Sequence, residues 1–194
     1  MLASLRAGLV FVVGSTLLLG LAYPLLATGG AGLLAPNGSA GSLVKINDRV
    51  VGSSLVGQGF AGQPRYFQSR PSPTGYSANA TAFSNLGPNG RDTAASFTRA
   101  MSVYLHREKP FVPGLGPADV PASAVMASGS GIDPNIEPAD ARIQAHRIAS
   151  LRGLSPRLVD ELIRRHTNGR FLGLVGEPTI NVLELNLALD KEEK

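Results

Sequence analysis

The sequence predicts an α+β protein: a single N-terminal transmembrane helix followed by one soluble extracytoplasmic domain. Three observations predict this. Residues 7–28, AGLVFVVGSTLLLGLAYPLLAT, carry no charge. From Lys45 onward the chain has the mixed polar and apolar composition of a water-soluble domain. That domain alternates helix-period apolar stripes with short strand-like runs, separated by Pro and Gly.

The span is the first element. Its 22 residues would form a helix of roughly 33 Å, against a hydrocarbon core of about 30 Å. Eleven of them are Leu, Val or Phe, which together favour insertion by roughly 3 to 6 kcal/mol. Tyr23 suits the interface, and Pro24 stands near the far end, where a lost backbone bond does least harm. Arg6 is the lone charge on the N-terminal side and biases that end toward the cytoplasm. Gly8, Val12, Thr16 and Gly20 recur every four residues and form a narrow stripe; Gly8, Thr16 and Gly20 are the candidates for close packing against another helix. The alternative is a cleaved signal peptide, with Arg6 as its charged region and a poor cleavage site near Thr28.

The boundaries expected are an anchor at 1–28, a connector at 29–44 and the domain at 45–194. Gly29 to Gly41 is rich in Gly, Ala, Ser and Pro and reads as a flexible or juxtamembrane connector. A short strand is expected within Lys45–Val51, and another at Arg65–Phe67. Gly52–Asn89 is otherwise a long irregular region, of the kind that is functional or disordered. Asn89 is expected to cap a helix running to Glu108, with Phe97, Met101, Tyr104 and Leu105 on its apolar face. Pro138 opens a helix that Gly153 ends. Ser155 followed by Pro156 caps another, running to His166, with Leu158, Val159, Leu162 and Ile163 facing inward. Asn181–Asp190 alternates like a strand but starts like a capping box, and a helix is preferred.

Composition excludes several chemistries. With no cysteine among 194 residues there is no disulfide, thiolate metal site or catalytic thiol. Net charge is +4, and residues 1–91 hold six bases against the single acid Asp48. Those bases are scattered, with no basic run and no aromatic platform, so nucleic acid is not an expected partner. No GxxxxGK[ST] loop occurs. His106, His146 and His166 lack spaced metal partners. A Ser128 or Ser130, Asp133 and His146 triple lacks the GxSxG frame of a nucleophile elbow. Asn37–Ser39 and Asn79–Thr81 match the glycosylation pattern.

Four stretches, in order, carry a family resemblance. The first is Gly52–Phe60, containing Gly57, Gln58 and Phe60, with Tyr66, Phe67, Gln68, Ser69, Arg70 and Pro71. The second is Ser84, Asn85, Leu86, Gly87 and Pro88. The third is Ala127–Pro138, containing Ser128, Gly129, Ser130, Gly131, Asp133 and Pro134, followed by a helix with Gln144 and Arg147. The fourth is Asn181–Asp190, containing Asn181, Leu183, Leu185 and Asn186. Together they resemble the C subunit of the Kdp-type potassium-transporting ATPase, over nearly the whole chain.

The resemblance implies an accessory subunit that does not hydrolyse ATP and binds no cofactor tightly. It implies three protein partners: a channel-like potassium-binding subunit, a P-type ATPase subunit and a small membrane subunit, besides membrane lipid. It also implies support of assembly, and a catalytic-chaperone role that raises the pump subunit's affinity for ATP, so that ATP is met only through that subunit. The localisation implied is the inner membrane, crossed once, with the N-terminus cytoplasmic. One departure stands out: Ala82 and Phe83 precede Ser84 where the family pattern has glycines, which removes bare amides suited to a phosphate. Tyr66, Phe67, Arg70 and Pro71 read either as an interface anchor or as core. The alternative function is an exported binding protein or hydrolase released after signal cleavage.

Overall fold

The computed structural model describes residues 2–77, 79 and 81–192. The expected termini at 1 and 194, and Ala80 of the Asn79–Thr81 triplet, lie outside the described residues. The chain divides into two units, one up to Val51 and one from Gly52.

In the first unit, α1 (Leu2–Leu17) and α2 (Tyr23–Leu34) are joined by a π-helical turn at Leu18–Ala22. They form one continuous apolar helix, Leu2–Leu34, of 33 residues, long and apolar enough to cross a membrane. The wide turn lies just before Pro24, whose ring and missing N–H disrupt ordinary α-helical bonding; a π turn absorbs that locally. The expected break at Gly29 does not occur. Gly29, Gly30 and Gly32 are helical, and the helix stops only at Ala35, with φ −142° and ψ 65°. The cause is Pro36, which forces the residue before it out of the α region. A single turn, α3 (Pro36–Ser39), follows. The strand expected within Lys45–Val51 is two: β1 (Leu43–Ile46) and β2 (Arg49–Ser53) pair as a hairpin. It turns at Asn47 and Asp48, both at positive φ, a conformation these side chains tolerate.

The second unit contains α4 (Arg91–Glu108), α5 (Ala122–Val125), α6 (Pro138–Arg152), α7 (Pro156–Arg165) and α8 (Val182–Glu192). Three short strands, β3 (Asn135–Ile136), β4 (Thr167–Asn168) and β5 (Thr179–Asn181), form an antiparallel sheet in the order β3-β5-β4. Pro138 and Gly153 bound α6 as expected, Gly153 adopting φ 67°. Ser155 accepts the Leu158 amide and starts α7. Asn181 Oδ1 accepts the Glu184 amide at 3.2 Å, so the tail is a helix. For α4 the cap is Gly90, not Asn89, and no side chain fills it. Phe97 stays exposed, whereas Met101 and Tyr104 are buried.

The main core lies among α6, α7, α8 and the sheet, around Phe67, Ile136, Ile148, Val159, Ile180, Leu185 and Leu189. A smaller cluster joins α4 to α5 through Met101, Tyr104, Leu115, Val120 and Val125. Residues 54–90 form no strand or helix among those described, and the strand expected at Arg65–Phe67 is absent.

Candidate functional site

The segment around Phe67 has no strand beside it. Two side-chain amides take the place of one. Asn186 on α8 accepts the Phe67 N–H at 2.8 Å and donates to the Phe67 carbonyl at 3.0 Å. Gln144 on α6 does the same for Gln68, at 2.7 and 3.2 Å. Buried backbone groups must be paired, and here two carboxamides satisfy four of them at once.

Arg147, one turn past Gln144, is fully buried. Its Nε lies 3.1 and 3.0 Å from the two oxygens of Glu108, which is equally buried. Its other nitrogens donate to the carbonyls of Pro64 and Tyr66 and to Gln144 Oε1. Burial pushes the Arg147 guanidinium below its ordinary range, while the Glu108 carboxylate holds it charged. Arg107 also binds Glu108, at 2.6 Å, and lies over the Tyr104 ring. Tyr104 donates to Asp140 Oδ1 at 2.7 Å, and Gln144 Nε2 donates to the same oxygen at 3.0 Å. Burial pushes the Asp140 carboxyl up to about 6 despite both donors. Burial and the neighbouring Asp140 raise the Tyr104 phenol well above its usual value.

The remaining motif residues extend the same pattern. Tyr66 stacks on Phe60, lies under the Arg152 guanidinium and donates to Asp190 at 3.2 Å. Arg70 pairs with Asp133 at 2.9 Å. Pro71 accepts the Ser128 amide, and Gln58 accepts the Ser69 hydroxyl. Gly57 donates to Ile132, and a Cβ on it would stand 2.5 Å from the Asp133 carbonyl. Pro134 accepts the Val182 amide, and Asn181 donates to Ser54. Leu183 and Leu185 are core. Three of the four sequence stretches therefore meet on one loop.

Ser84, Asn85, Leu86, Gly87 and Pro88 do not join them. That stretch is exposed, with Asn85 at φ 52°, and Gly87 accepts the Thr93 hydroxyl and the Gly90 amide at the start of α4. Phe67 is core, which decides against it as an interface anchor, and Tyr66 is committed to internal contacts. The serine triple is not assembled. Ser128 and Ser130 accept amides within their own turn, Asp133 is held by Arg70, and His146 lines a separate recess with Asp160. Gly129 is exposed and Gly131 completes the turn at φ 75°. Among the described residues no three His, Cys, Asp or Glu side chains gather as a metal site. A groove of about 330 Å³ opens beside the network, bordered by Tyr76, Arg99, Val103 and Arg107 and reaching Asp140. In the apolar helix, Thr16 donates back to Val12 at 2.8 Å, and Gly20 lies one turn from Thr16.

The sequence singles out neither Asp140 nor Arg152, and it marks Tyr104 only as part of an apolar face, Glu108 only as a helix end and Asp190 only as the end of the fourth stretch. Glu108 and Arg147 are 39 residues apart, and no local spacing pairs them.

A helix long and apolar enough to cross a membrane, joined to a domain whose distinctive residues brace its own loop, points to a membrane-anchored module. The family model described as "KdpC: K+-transporting ATPase, c chain" matches residues 5–191. The chain belongs to that family. A Sorangium cellulosum protein named potassium-transporting ATPase KdpC subunit is 49% identical over 98% of each chain. Proteins of the same name from Caulobacter vibrioides and Methylococcus capsulatus are 46% and 43% identical over 98% of this chain, covering 94% and 98% of their own. The exported-protein alternative finds no support in these similarities.

Proposed function

We propose that this chain is the non-catalytic accessory subunit of a high-affinity, ATP-driven potassium uptake pump. The observation that carries this is where the family's residues go. Gln144, Arg147, Asn186 and Asn181 are spent on bracing the 54–71 loop rather than facing a ligand. Hydrolysis then belongs to a P-type ATPase subunit. The other partners are a channel-like potassium-binding subunit, a small membrane subunit and the surrounding lipid, with no nucleic acid.

The chain crosses the inner membrane once through Leu2–Leu34, with the N-terminus cytoplasmic and the domain outside, the sense favoured by Arg6. It supports assembly and acts as a catalytic chaperone that raises the ATP affinity of the pump subunit. A domain outside the membrane cannot touch cytoplasmic nucleotide. The effect therefore travels as a differential stabilisation of one pump state, through the membrane helix. Gly8, Thr16 and Gly20 form the face through which that helix meets a neighbour.

The test compares the pump purified with and without this chain. Omission should raise the apparent KM for ATP; an unchanged KM would remove the chaperone role. Gly8→Leu, Thr16→Leu and Gly20→Leu together should lower co-purification, because added bulk separates the two helices. Undiminished recovery of the complex would remove that face from the account.

A further inference from the structure

We propose that the hairpin tip Phe171–Val175 is a docking knob that seats in an apolar recess on another protein subunit of the pump. The proposal takes membership of a multisubunit complex as given and assigns a surface to it.

The tip lies between β4 and β5. Phe171 donates its amide to the Val175 carbonyl at 2.8 Å, and the Leu174 amide closes the turn onto Phe171 at 3.1 Å. At its neck, Arg170 Nη2 meets both oxygens of Glu177, at 3.0 and 2.9 Å. The tip is therefore braced, yet it buries nothing. Phe171, Leu172, Leu174 and Val175 are 71%, 80%, 82% and 64% exposed. Four consecutive-neighbourhood apolar side chains facing water at one protrusion are what an interface uses, not what a free surface keeps.

A second observation points the same way. Leu172 and Gly173 adopt φ 51° and 75°, the signs a type I′ turn requires at both central positions. Asn-Gly is the preferred pair there, and a leucine is disfavoured. Nothing inside the chain repays that choice, because the Leu172 side chain stands in solvent. An external apolar contact would.

Charge selects the occupant. Phe171–Gly176 carries no charge, and the neck is a neutral ion pair. Segments that lie on lipid headgroups combine apolar side chains with unpaired Lys or Arg that meet the anionic surface. The chain has no Trp, and the tip has no Tyr and no free base. An uncharged, rigid protrusion instead complements a desolvated pocket on a protein.

The absence of cysteine makes a single labelled thiol unambiguous. Leu174→Cys carries a bimane group on the full chain, first alone in lipid nanodiscs and then in the co-purified complex. The expected result is an exposed, iodide-quenchable probe on the chain alone at every protein concentration. Assembly with the other subunits should then give a blue-shifted emission and roughly tenfold less quenching. Shielding by lipid alone, shielding that grows with the concentration of the chain alone, or full quenching in the assembled pump would each overturn the proposal. Leu172→Asn separates docking from folding. It places the preferred residue in the turn, so the chain's own Tm should hold or rise, while retention in the complex should weaken roughly tenfold. Retention equal to that of the unaltered chain would also overturn it.

Discussion

Asp140 is the residue whose environment and charge are most at odds. It is buried, and its folded pKa of about 6 stands above the ordinary 3.8. Between those values the native state holds a proton that the unfolded chain has released, so stability falls as pH rises through about 4 to 6. Asp140→Asn keeps an oxygen for Tyr104 and Gln144 and removes the buried charge. Thermal unfolding should show it more stable by about 1–3 kcal/mol at pH 8, with the difference gone near pH 4. Equal curves at pH 8 would show that the carboxylate is stabilised when charged. Arg147 is the opposite case, because its charge is needed. Arg147→Met would leave Glu108 buried without its main partner and two carbonyls unpaired, for a loss of about 3–5 kcal/mol in denaturant titration. At Glu161 the two flanking arginines hold the carboxyl down to about 2. Whatever it contributes is present above pH 4.5 and lost as pH falls, and the exposure of both arginines to solvent keeps that contribution minor.

Elements were legible in proportion to how local their causes are. Caps and prolines act within a few residues, so α6, α7 and α8 stand where their end signals place them. Ser155→Ala should cost about 1 kcal/mol through the lost Leu158 bond, measured by chemical denaturation. The 54–71 loop shows the reverse. Its backbone partners are side chains on α6 and α8, between 76 and 119 residues away, so no periodicity within the loop announces them. Gly57 shows how close the fit is. Gly57→Ala would drive a Cβ into the Asp133 carbonyl, and a loss of about 1–3 kcal/mol is expected. A variant as stable as the parent would mean that the loop shifts freely. The apolar helix likewise outran its expected end, since glycine only weakens a helix, and the chain leaves the α region at Ala35, ahead of Pro36.

For the whole molecule, the residues that identify the family and the residues that would perform a reaction are different sets. The family's motifs converge, but on bracing: amides clamp amides, and arginines neutralise acids inside the domain. Under the proposed accessory role, such a protein would act by presenting a surface. Adding millimolar ATP to the purified full chain should therefore leave its Tm unchanged, since a ligand stabilises only what it binds. A rise in Tm with ATP would reveal a direct nucleotide site and count against coupling through the pump subunit.

The sequence by itself determined the apolar helix, the helix starts at Pro138, Ser155 and Asn181, the absence of thiol chemistry and the family. Each of these is written in composition or in neighbours a few residues apart. Only the tertiary structure decided that Phe67 is core, that Gln144 and Asn186 substitute for a β-strand, that Glu108 answers Arg147, and that Phe171–Val175 stands bare. Those outcomes depend on which distant groups share a desolvated space, where every buried donor and acceptor must find a partner whatever its distance along the chain.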